Sequence, residues 1–167
     1  YLARGRVQEA RARAGELLAA MRPFVEQGIA IVGLEPSCLF TLRGEMTAMG
    51  FGETAQALAK QALMFEEFLA REAQAGRLGE LQAKLRPLGQ PVLVHGHCHQ
   101  KAFDAVSPLM RVLALVPQLE PKLVESSCCG MAGSFGYEAE HYEVSMRMAE
   151  QSLLPAVRQA PGALVVA

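Results

Sequence analysis

Three times along this chain an apolar run of strand length leads straight into a short polar turn that carries cysteine: Ile31 to Cys38, Val92 to Cys98, and Leu123 to Cys128. Ile29-Ala30-Ile31-Val32-Gly33-Leu34 and Pro91-Val92-Leu93-Val94 are apolar without alternation. That suits strands covered on both faces, as in a parallel sheet. Further strands are expected over residues 122–125 and 163–166. Between them the spacing of apolar residues is helical. It predicts a helix from Val7 to Glu26, with Ala10, Ala14, Leu17 and Met21 on its apolar face, a short one over 39–49, and a longer one over 54–75. Two more are expected over 108–115 and 138–158, the last kinked or divided by Pro155. Alternating strands and helices imply an α/β fold, a mainly parallel sheet with flanking helices, built as two pseudo-repeated strand–cysteine–helix halves. At 167 residues the chain is expected to be one domain, 1–167, able to bury a core without disulfide staples.

In an open parallel sheet, ligands bind in the crevice at the carboxyl ends of the strands. All four cysteines of the chain, Cys38, Cys98, Cys128 and Cys129, fall at such expected ends. A lone cysteine is most often a small buried hydrophobe. Four at equivalent positions, two of them adjacent, form a constellation of soft ligands that suits a metal or an iron–sulfur cluster. The vicinal pair opens a glycine-rich loop, Cys128-Cys129-Gly130-Met131-Ala132-Gly133-Ser134-Phe135-Gly136. Gly130, Gly133 and Gly136 let the backbone approach a cluster closely and donate N–H groups to sulfur. They do not form the G-x-G-x-x-G dinucleotide fingerprint.

His95, His97 and His99 alternate along the second turn. Three readings stay open for them: zinc ligands beside Cys98, side chains that orient thiolate ligands from behind, or a polar turn with incidental imidazoles. His97 and His99 are the two expected to contact the cofactor. His141 falls inside an expected helix and reads as packing or surface. No Ser–His–Asp arrangement or nucleophile elbow is present. A Cys98 thiolate activated by His97 or His99 is an alternative chemistry, and it leaves three cysteines unexplained.

Composition removes several classes. A formal net charge of −1 gives no electrostatic argument for nucleic acid or an anionic surface. No apolar run approaches the roughly 20 residues that a membrane-spanning helix needs. Disulfides are disfavoured, because no secretion signal is present and a vicinal pair does not readily close on itself. The chain starts at Tyr1 without Met and stops on the strand-like Ala163-Leu164-Val165-Val166-Ala167, so it reads as a piece of a longer polypeptide.

The C-x29-C-C-G spacing from Cys98 to Gly130, with Gly133 following, resembles the cysteine-rich CCG domain of heterodisulfide reductase and glycolate or lactate oxidase iron–sulfur subunits. Gly33-Leu34-Glu35-Pro36-Ser37-Cys38, His95-Gly96-His97-Cys98-His99-Gln100-Lys101 and the Cys128 loop through Tyr137 are similar, more narrowly, to the C-terminal region of fused FAD/4Fe-4S dehydrogenases. Those act on D-2-hydroxy acids such as D-lactate or D-2-hydroxyglutarate. The resemblance implies an iron–sulfur electron-transfer module, with Cys38, Cys98, Cys128 and Cys129 as ligands of a 4Fe-4S-type cluster, or of zinc in some relatives. It implies FAD on another domain, flavin and ferredoxin-like domains of the same protein as partners, and an acceptor such as a quinone. The location it implies is cytoplasmic, or peripheral at the inner membrane. Glu35 stands where some relatives carry a further cysteine, and no flavin-binding sequence is present, so the piece by itself is expected to be inactive. A structural zinc or domain-docking module without electron transfer is the competing reading.

Overall fold

A computed structural model describes residues 1–167 and divides them into two compact units, Tyr1–Arg71 and Glu72–Ala167. In the first, α1 (Val7–Glu26) forms as its periodicity predicts. Its buried stripe is Ala10, Ala14 and Leu18, while Leu17 is left exposed. The next elements are β1 (Ile31–Gly33), α2 (Pro36–Arg43), α3 (Glu45–Ala48) and α4 (Glu53–Gln61). α1 and α2 both pack on α4, around the fully buried Phe40, Ala55 and Leu58.

The helix expected over 54–75 is interrupted. Ala62–Met64 leaves it as β2 and pairs in parallel with β1, Ile31 opposite Ala62 and Gly33 opposite Met64. α5 (Phe65–Gln74) then resumes the helix. Ala, Leu and Met favour helix by themselves, and pairing with β1 overrides that preference. The junction is held by Glu67, whose carboxylate accepts from the Met64 N–H at 2.8 Å and pairs with Arg43 at 2.8 Å.

The second unit holds α6 (Gly79–Gln82), β3 (Val92–Val94), α7 (Cys98–Ala102), α8 (Val106–Leu113) and β4 (Pro121–Leu123). It ends with α9 (Tyr142–Ala149), α10 (Leu153–Gln159) and β5 (Leu164–Val166). Its sheet is wholly parallel in the order β4-β3-β5. β3, central and buried along its length, meets the expectation for an unalternated apolar run. Val92 and Val94 pack with Leu119 against Leu109, Met110 and Leu113. The helix expected over 138–158 is divided at 150–152, with Pro155 in the first turn of α10, where its missing N–H is least harmful.

Candidate metal and thiol site

Adjacent parallel strands deliver their carboxyl ends to the same edge. β3 and β4 are such neighbours, and the ladder continues past them, the Val124 N–H donating to the Val94 carbonyl at 2.8 Å. The turn after β3 and the loop after β4 therefore start side by side. One carries Cys98, the other Cys128 and Cys129.

The turn after β3 is helical sooner than its sequence suggests, because His97 acts as an N-cap. Its Nδ1 accepts from the His99 N–H at 3.2 Å, while the Gln100 side-chain oxygen accepts from the His97 N–H at 2.9 Å. This reciprocal box satisfies N–H groups that a helix start leaves open. Cys98 is thus the first residue of α7. The His97 and His99 rings stack at 5.3 Å, and His99 Nδ1 is buried without a hydrogen-bond partner.

The loop after β4 is tied to the same turn by residues whose role the sequence does not announce. His95, buried directly after β3, has Nδ1 2.6 Å from Ser126 Oγ. Burial first, then the Lys101 and His97 charges, push the His95 imidazole below its ordinary value, which favours the neutral ring. Lys101 Nζ donates to the Ser126 carbonyl at 2.6 Å, the Ser127 carbonyl at 3.0 Å and Ser126 Oγ at 3.3 Å.

Beyond Ser127 the chain turns through Cys128 and Cys129. The Gly130 N–H donates to Cys128 Sγ at 3.3 Å. Gly130 has φ +87°, and a Cβ there would lie 2.2 Å from the Ser145 carbonyl oxygen of α9. Gly136 is also closely approached, though by side-chain ends: a Cβ would meet Met131 Sδ at 2.6 Å and Ser145 Oγ at 2.8 Å. At Gly133 the surroundings are open. Two of the three glycines thus let α9 press directly onto the cysteine loop.

The three thiols of the second unit sense one another. Partial burial first, then the charge of Cys128, a hydrogen bond with Cys128 and the charge of Cys129, push the Cys98 thiol up, against the opposing pull of Lys101. All four cysteines are free; Cys98 is exposed, Cys128 and Cys129 half-buried. No three His, Cys, Asp or Glu side chains stand close enough together to enclose a metal ion. The fit to a soft metal or cluster lies in the donor chemistry: three neighbouring thiols, a backbone N–H on one, and one ammonium beside them. Closing them on an ion requires the thiols to draw together, which exposed and half-buried side chains permit.

Cys38 belongs to the first unit, where it is exposed in the first turn of α2. Glu35 is the N-cap, accepting from the Ser37 N–H at 3.0 Å and the Cys38 N–H at 2.6 Å. Desolvation works against the Glu35 charge, but hydrogen bonds from the Cys38 and Ser37 side chains, and then from their backbone N–H groups, win and lower its pKa to about 2. The same carboxylate, by hydrogen bond and by charge, pushes the Cys38 thiol up. An external cation would offset that effect and favour the Cys38 thiolate.

No family model matches the chain, and no solved structure matches it. Among curated proteins it is similar to one subunit of the anaerobic glycerol-3-phosphate dehydrogenase of Escherichia coli (strain K12), at 27% identity over 145 residues, 86% of this chain and 35% of that protein. The same protein of Escherichia coli O157:H7 matches equally. It is also similar to the D-2-hydroxyglutarate dehydrogenase of Escherichia coli (strain K12), at 29% identity over 136 residues, 80% of this chain and 12% of that protein. The chain therefore corresponds to a minor part of each relative, and both relatives are dehydrogenases or belong to one.

Proposed function

We propose that this chain is the iron–sulfur electron-transfer module of an FAD-linked dehydrogenase for D-2-hydroxy acids or similarly small hydroxylated substrates. The observation that carries the reading is the meeting of Cys98, Cys128 and Cys129 at the carboxyl ends of the neighbouring strands β3 and β4. Similarity to parts of two dehydrogenases supports it. Cys98, Cys128 and Cys129 are the proposed ligands; Cys38, in the other unit, is a separate candidate thiolate.

A bound cluster would supply one-electron acceptance and release. The chain's own residues do the rest. Gly130 N–H and Lys101 offset the negative charge of gathered thiolates, and the bare backbone at Gly130 and Gly136 lets α9 close over the loop. His97 orients Cys98 by capping its helix. In the full protein, flavin and ferredoxin-like domains are the proposed electron donors, and a quinone is the proposed acceptor at a cytoplasmic or peripheral inner-membrane position. No helix of this chain is long and apolar enough to cross a membrane.

Iron, sulfide and zinc analysis of the full-length protein, purified without oxygen, tests the assignment. Iron and sulfide should fall in the Cys128→Ser/Cys129→Ser protein relative to wild type. Loss of one zinc with unchanged iron would make this a structural zinc module. No change in any metal would remove the ligand assignment.

A further inference from the structure

We propose that Lys101 is a positioning residue: its ammonium straps the Ser126–Ser127 backbone to α7 and so holds Cys128 and Cys129 in register with Cys98. The inference rests on reading these three thiols as one site. Lys101 lies one helical turn after Cys98, and Ser126 and Ser127 immediately precede Cys128. The strap thus joins the two segments that must be aligned, at the points nearest the sulfurs.

The geometry is that of a saturated cation. An ammonium has three protons, and Lys101 Nζ has three acceptors within reach: the Ser126 and Ser127 carbonyls and Ser126 Oγ. An ordinary surface lysine keeps its charge in water on a mobile stem. This one is held against a loop 25 and 26 residues away in sequence. Its stem passes over Gly96, where a Cβ would stand 3.5 Å from Lys101 Cε. The far end is fixed independently, since Ser126 Oγ also meets buried His95 Nδ1 at 2.6 Å. The near end is fixed by the His97–Gln100 capping box. A strap anchored at both ends sets a distance, whereas a lysine serving only solubility would do neither.

The test measures register without any metal. Full-length protein, stripped of metal and reduced, is treated with diamide, which takes one electron and one proton from each of two thiols. Formation of a disulfide from Cys98 to Cys128 or Cys129 is followed by mass spectrometry. Lys101→Met should slow it about tenfold through lost effective concentration, while Lys101→Arg, which keeps a multidentate cation, should stay within about threefold of wild type. Lys84→Met, on an exposed lysine of the same unit, should leave the rate unchanged. Circular dichroism checks folding, and Lys101→Gln, too short to span the same contacts, substitutes if the methionine variant is unstable. A wild-type rate in folded Lys101→Met or Lys101→Gln overturns the proposal, and so does equal slowing in Lys101→Met and Lys101→Arg. Absence of metal from the Cys128 loop would instead overturn the function proposed above, leaving this rate difference as it is.

Discussion

Gly130 and Ser145 are in backbone contact: a Cβ on Gly130 would sit 2.2 Å from the Ser145 carbonyl oxygen, with φ at +87°. The neighbour is main chain of α9 and cannot rotate away. Gly130→Ala should therefore destabilise the protein by about 2–5 kcal/mol, from overpacking of about 1–3 kcal/mol and a left-handed residue at about 1–2 kcal/mol. Gly133→Ala, at φ +65° in open space, should lose only the conformational part, about 1–2 kcal/mol. Urea unfolding midpoints of the two variants test the ordering, and equal losses would refute the close approach of α9.

Glu35 gives a pH signature in the first unit. Its pKa falls from 4.5 to about 2 in the folded chain. A depressed carboxylate contributes stability that is present above the unfolded value and lost as pH falls through the folded one. The stability difference between wild type and Glu35→Gln should thus be constant above about pH 5 and shrink between 4.5 and 2. A difference independent of pH across that window would mean that Glu35 does not cap α2 as a carboxylate.

His95 should act in a higher window. Its folded pKa lies below the ordinary 6.5, through burial first and then the Lys101 and His97 charges. Acid then favours the unfolded chain, which binds the proton more readily, so stability is lost as pH falls below about 6.5. His95→Gln should flatten that slope. Ser126→Ala, which leaves a buried ring nitrogen without its partner, should lose about 1–3 kcal/mol at neutral pH. Thermal or urea unfolding at a series of pH values measures both.

The parts of the fold legible in the sequence were those with strong local signals. The unalternated run at β3, the uninterrupted period of α1 and the dividing effect of Pro155 each read directly into structure, whereas the run at β1 forms a strand that is not covered on both faces, Val32 being exposed. β2 did not, because Ala62, Leu63 and Met64 carry helix preference and become a strand only through pairing with β1. The early start of α7 was hidden because His97 is an unusual cap. At the site, the nearness of Cys98 to Cys128 followed from strand logic. The contacts of Lys101, His95 and Ser126 did not, because they depend on side-chain reach between segments some 25 to 31 residues apart. Cys38 occupies the expected strand-end position, yet its carboxylate cap gives it a different electrostatic setting from the other three.

Spectroscopy of the Cys98 position tests electron transfer most directly. Full-length wild-type protein and Cys98→Ser, both purified without oxygen, are titrated through a range of reduction potentials while electron paramagnetic resonance is recorded. The account predicts that one cluster signal disappears or shifts its midpoint in Cys98→Ser, while any signals from other iron–sulfur domains keep theirs. Identical spectra and midpoints in the two proteins would contradict it.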